Sequence, residues 1–181
     1  MPAIGKISGS ASSRSIAAAL LAVACTIAGA LPPAEGAKNV QPAASISVSG
    51  EDGRTQRFDL AALTKLPQHG IHAEAHGNAV DCSGPHLIDL LGAVGAPAGE
   101  ALRGKNLALY VRVSAADGYR AVFALAELDP DLRSDVPIVT ASCNGNALDA
   151  KDGPFRLVVP GEKRPARWVR QVTAVDLLRA P

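Results

Sequence analysis

Residues 144–172 read NGNALDAKDGPFRLVVPGEKRPARWVRQV. Phe155 and Leu157–Val159 make a short apolar run that suits a buried strand, and Pro160-Gly161 ends it. Arg156, Lys163, Arg164, Arg167 and Arg170 then fall within fifteen residues, with Pro165 stiffening the loop between them. A rigid loop that presents several guanidinium groups suits a phosphate or another oxyanion, because arginine forms paired hydrogen bonds to such oxygens. The same arginines would equally serve a solvated face, paired with Asp and Glu. The density of charge alone leaves both readings open.

Upstream, Ile46 and Val48 alternate with serines in "SISVSG", and "GEDGR" supplies a turn before a short strand at "TQRF". Asp59 is placed as the N-cap of a helix that must stop before Pro67. Ile71, Ala73 and Ala75 alternate with His72, Glu74 and His76, then Gly77-Asn78 and "AVDC" follow, which predicts a hairpin. On its first strand His72, Glu74 and His76 share one face. Leu87, Leu90, Leu91 and Val94 have helical spacing that ends at Gly95 and Pro97. Leu107, Leu109, Val111 and Val113 alternate as a strand, "YRAVFA" is its hairpin partner, and "LAELDP" a helical turn. "VPIVTASC" and the segment 166–178 supply the remaining strands, the latter as one strand or a pair. Strands and short helices mix without a regular βαβ alternation, so the expected fold class is α+β with a mixed β-sheet.

The chain has 181 residues, enough for one domain; 48% of them are hydrophobic but only 3% aromatic, so the core must be built from Ala, Val and Leu. The net charge is +1, and the basic residues form no long run, which excludes nucleic acid and anionic membranes as expected partners. Lys6 and Arg14 precede a small, apolar, uncharged stretch, Ser15–Leu31. That pattern predicts a secretory signal over residues 1–37, cleaved after Ala37 or Ala30, then a flexible lead-in over 38–45 and a domain over 46–179. An uncleaved anchor and a lipoprotein attached through Cys25 are the alternatives. Export gives a periplasmic or secreted protein with no stable membrane insertion after cleavage. In that oxidising compartment Cys82 and Cys143 are either a disulfide or free thiols.

Three segments in order carry a family resemblance: "GPHLIDLLGAVGAP", "ADGYRAVFALAELDP" and "NGNALDAKDGPFRLVVPGEKRPARWVRQV". Together they resemble the molybdopterin-binding oxidoreductases of the sulfite oxidase family, over about residues 45–178. The resemblance implies that fold and a molybdopterin (molybdenum cofactor) whose phosphate would be held by Arg156, Arg164 and Arg167, with Trp168 packed beside them. It implies oxygen-atom transfer, with electrons passed to a periplasmic electron carrier or a membrane redox subunit. In the redox-active relatives a cysteine thiolate binds the molybdenum about a dozen residues before the position of Gly84. Here that place falls near His72, and no cysteine stands there. The family often has His or Asn five residues before the position of Arg156; this chain has Lys151.

Cys82 is therefore the candidate catalytic thiolate, with His72 and His76 as further candidate metal ligands. The spacing His69-x2-His72-x3-His76-x5-Cys82-x3-His86 is not a standard zinc pattern. Three expectations follow: Cys82 reaches the metal, the pterin binds without a thiolate, or the fold serves as a ligand- or partner-binding module without molybdenum. A Cys82–Cys143 disulfide would remove the thiolate and favour a binding module.

Overall fold

The computed structural model describes residues 44–75 and 77–181. The expected signal segment, most of the lead-in and His76 lie outside the described residues. The described chain is α+β. In order it forms β1 (Ser45–Ser49), β2 (Thr55–Asp59), α1 (Leu60–Leu63), β3 (His69–Ala75), β4 (Asn78–Gly84) and α2 (Leu87–Gly92). Next come β5 (Leu109–Ala115), β6 (Arg120–Ala124), β7 (Ile138–Thr140), β8 (Ser142–Cys143), β9 (Asn146–Ala147), β10 (Arg156–Val158) and β11 (Val172–Arg179).

One five-stranded sheet has the order β2-β1-β11-β5-β6. β1 and β11 are parallel and the other neighbours antiparallel, so the sheet is mixed. Its register aligns Val48, Val175, Val113 and Ala121 as direct partners across four strands, and all four are buried. That row is the physical meaning of the alternating Val and Ala seen in the sequence: every second side chain faces the core. A second sheet has the order β3-β4-β8-β9, and β10 pairs with β7 alone.

Leu87, Leu90 and Leu91 of α2 are fully buried. Each removes roughly 2 kcal/mol worth of apolar surface from water. Asp59 caps α1 as its sequence suggests, its carboxylate accepting the Ala62 N–H at 2.7 Å. Gly84 is where the second sheet meets β7. A Cβ there would lie 2.0 Å from the Val139 carbonyl oxygen, so only glycine permits this approach. Backbone bonds from Val139 N–H to the Pro85 oxygen (2.9 Å) and from Leu87 N–H to the Pro137 oxygen (2.9 Å) seal the junction.

One expectation is corrected, and one left open is decided. The strand placed from Leu107 starts at Leu109; Gly104–Ala108 form a 3₁₀ turn, begun by Gly104 at φ +58°, and Leu107 is 54% exposed. The segment 166–178 is one strand rather than two. Pro165–Arg167 form a 3₁₀ turn, and Gln171 at φ +48° re-aims the chain into β11.

Candidate functional site: a cationic cavity beside Trp168

A cavity of about 530 Å³ opens between the β5–β6 turn, the loop before β10 and the loop before β11. Its wall includes Tyr119, Lys151, Asp152, Arg156, Trp168 and Arg170. Each is placed by a short-range device. Asp149 accepts the N–H groups of Lys151 (2.9 Å) and Asp152 (2.8 Å), folding the tight loop that presents both residues. Gln171 pins that loop, its N–H bonding to the Asp152 oxygen at 3.0 Å and its side-chain amide to the Ala150 oxygen at 2.8 Å. In the β5–β6 turn Asp117 accepts the Tyr119 N–H at 2.9 Å, and Gly118 adopts φ +87°. The Tyr119 hydroxyl then donates to the Ala166 oxygen at 2.5 Å, which ties this turn to the arginine-rich loop.

Arg156 is the centre of the site. Its side chain is 16% exposed, it pairs with Asp152, and its guanidinium carbon lies 5.2 Å from the centroid of the Trp168 ring. Trp168 is held in turn by its indole N–H, which donates to the Val159 oxygen at 2.8 Å. The Arg156 Nε is buried and has no hydrogen-bond partner among the described residues. A buried charged donor left unpaired is costly; that atom is closed to solvent, while the residue itself lines the cavity. Arg170 lies 4.0 Å from the same Asp152 carboxylate. Lys151, Arg156 and Arg170 against Asp117 and Asp152 leave the lining with a net charge of +1 (three minus two).

The three arginines singled out from the sequence do not converge. Arg156 lines this cavity. Arg164 lines a neighbouring hollow with Glu74, Glu162 and Lys163, beyond the Pro165–Ala166 wall that the two share. Arg167 is tied up structurally: it donates to Glu162 at 2.6 Å and Glu127 at 3.0 Å and lies 4.5 Å over the Phe123 ring. Burial works against its charge, and the bonds to Glu127 and Glu162 outweigh that, holding its pKa above the ordinary arginine value. Lys151 and Arg170, not Arg164 and Arg167, are the other basic residues that line the cavity with Arg156. Sequence could flag their charge but not the direction in which the loop would aim them.

Cys82 is corrected as a candidate thiolate and metal ligand. It stands directly opposite Cys143 in the β4–β8 pair, the two are joined in a disulfide, and Cys82 is 4% exposed. A disulfide sulfur carries no thiolate charge. His72 is likewise not a co-ligand of Cys82. It pairs with Asp81 in the hairpin register, one residue from Cys82, so the two side chains leave opposite pleats. His72 Nδ1 lies 2.7 Å from the Asp81 carboxylate, with both groups well exposed. Both residues border a shallow hollow of about 460 Å³, separate from the cationic cavity.

The structure assembles a different histidine group. His69, the first residue of β3, and His86, the N-cap of α2, stack with ring centroids 3.6 Å apart and planes 8° from parallel. Asp89 adjoins them, its carboxylate 3.9 Å from His69 Nε2 and accepting the His86 N–H at 3.0 Å. Burial, and then the neighbouring His69, push the His86 pKa below the ordinary histidine value, with Asp89 opposing.

With this geometry in view, one comparison bears on the fold. The chain is similar to a solved structure, the sulfane dehydrogenase SoxCD from Paracoccus pantotrophus. The TM-score is 0.58 at 19% sequence identity, over 75% of this chain and 38% of that one. At such identity the likeness is one of fold, and the chain spans well under half of that neighbour's length. No family model and no curated protein matches the sequence. Among the described residues no helix is long and apolar enough to cross a membrane.

Proposed function

We propose that this chain is an exported ligand-binding module, built on the molybdopterin-binding fold of the sulfite oxidase family, that holds a phosphate-bearing ligand of the pterin type in the cavity around Arg156. The observation that carries the reading is the convergence of Lys151, Arg156 and Arg170 on one net-cationic cavity, with the Arg156 guanidinium set against the Trp168 ring. The guanidinium and Lys151 suit a phosphate, and Tyr119 and Trp168 suit a flat ring system. Disulfide formation supports export, since such bonds persist in oxidising compartments.

The fit to the full molybdenum cofactor divides. The cationic wall suits its phosphate. The metal finds no thiolate, because Cys82 is spent in the disulfide and does not line the cavity. No redox step is therefore assigned to these residues. The second reading is the oxidoreductase, performing oxygen-atom transfer with electrons delivered to a periplasmic carrier or membrane redox subunit. The sequence resemblance and the shared fold of a sulfane dehydrogenase favour it, and it requires Cys82 reduced and displaced toward the cavity.

The test is to express the chain, with its own leader, in a host that makes the molybdenum cofactor. Pterin is assayed by fluorescence after oxidation and molybdenum by mass spectrometry. The expected result is bound pterin without matching molybdenum, lost in Arg156→Ala. Molybdenum near one per chain, lost in Cys82→Ser, would move the assignment to the oxidoreductase. Absence of pterin from a folded protein, in a host that loads a control enzyme, would sink both.

A further inference from the structure

We infer that His69, His86 and Asp89 form a binding site for a zinc-class divalent metal ion at the junction of β3 and α2. Two imidazoles and a carboxylate are the donor set that zinc and its neighbours prefer. One potential ligand atom from each residue lies within 4.8 Å of the others, and all three side chains are half-buried. They reach this point by fold rather than by local sequence. His69 is opposite Gly84 in the β3–β4 register, and two residues later the chain turns to set the His86 ring over that of His69. Asp89 follows one helical turn on. The bond from the His86 N–H fixes its carboxylate, and a carboxylate with about four acceptor positions keeps room for a cation after accepting one bond.

The present arrangement also says what binding must do. Ring nitrogens direct their lone pairs within the ring plane, and two nearly parallel planes with centroids 3.6 Å apart cannot both aim at one ion. Zinc–imidazole bonds are about 2.0–2.1 Å long. One ring must therefore turn out of the stack. His69 is the ring taken to do so, since its side chain is 38% exposed and it stands at the start of β3, whereas the backbone of His86 is fixed at the start of α2. Three protein ligands leave at least one position for water or an external ligand, the pattern of an open site rather than a closed structural one. His72 does not belong to it: its exposed ring pairs with Asp81 on the other face of the hairpin.

The test uses the chain without a polyhistidine tag, stripped with a chelator and titrated with zinc chloride by calorimetry. One site with a Kd of about 10 µM or tighter is expected. His69→Ala and Asp89→Asn should each weaken it about tenfold or more, while His72→Ala leaves it unchanged. His86→Ala is not the deciding variant, since it alters the start of α2; His69→Ala, at the more exposed ring, is, with its melting temperature checked alongside. In NMR spectra zinc should shift the His69 and His86 ring resonances together as the stack opens. Either of two results overturns the inference: no zinc uptake by the folded chain, or uptake that survives His69→Ala and is lost in His72→Ala. None of the three residues lines the cationic cavity, so failure here leaves the pterin reading standing, and the reverse.

Discussion

Cys82 and Cys143 are direct partners across the β4–β8 pair, 4.2 Å apart at Cα, and their disulfide joins positions separated by 61 residues. The bond therefore holds the β3–β4 hairpin against the strand that follows β7. In the chain-entropy account a loop of that size is worth about 4 kcal/mol. The double variant Cys82→Ser, Cys143→Ser should lose roughly that much, read as a lower urea midpoint with little change in slope. The oxidised chain should show no titratable thiol from either position. A midpoint that does not move on reduction would remove the structural role given to this bond.

Arg156 and Arg167 look alike in the sequence and should separate in experiment. Arg156→Ala removes a guanidinium that lines the cavity and should weaken binding of a phosphorylated pterin at least about tenfold. Arg167→Ala strips Glu162, whose side chain is only 16% exposed, of its partner and leaves Glu127 with Arg133 at 3.7 Å. That should cost about 1–3 kcal/mol of stability with little direct effect on binding. Parallel calorimetry and urea unfolding on both variants check the crossing. If Arg167→Ala abolished binding while leaving stability intact, the cavity would have been placed on the wrong side of the loop.

These two pairs also show how far the sequence reads. Period-two alternation placed β5 and β6 because their register keeps Val111, Val113, Ala121 and Phe123 on the buried face. Asp59 announced α1 because a cap is a contact between residues three apart. The cysteine pairing stayed open because it depends on β8 lying beside β4, a long-range fact. The arginines left an anion site and a solvated face both open, and their spacing could not place them, since Gly161 at φ +76° and the Pro165–Arg167 turn fan Arg156, Arg164 and Arg167 into three environments. His69 and His86 stand at the two ends of one hairpin, and their stack exists only through the β3–β4 register and the path of β4 into α2.

Gly84 and Gly70 give a paired test of that path. A methyl group at Gly84 would overlap the Val139 carbonyl oxygen, a backbone atom that cannot swing aside, whereas at Gly70 nothing lies within 4 Å. Gly84→Ala should lower stability by about 3 kcal/mol as the β4–β7 junction opens. Gly70→Ala should be near neutral. Thermal unfolding of both variants decides it, and equal losses would mean that the close approach of β4 to β7 is not what confines position 84 to glycine.

Glu51 and Arg179 tie the β1–β2 turn to the end of β11 through two bonds, 2.5 and 2.9 Å long. The Arg179 hydrogen bond is the main influence holding the Glu51 carboxyl below its ordinary value of 4.5. A carboxyl with a lower pKa folded than unfolded binds more protons when unfolded. Its contribution is then complete above its unfolded value and disappears as pH falls through the lower folded one. The stability difference between the wild type and Glu51→Gln should therefore hold steady from neutral pH down to about 5 and close at more acidic pH. Urea midpoints for the two proteins across that range are the measurement. Because the pair is solvent-exposed, moderate salt should shrink the gap at neutral pH as well. A gap indifferent to both acid and salt would mean that the substitution acts through turn geometry, not through the ion pair.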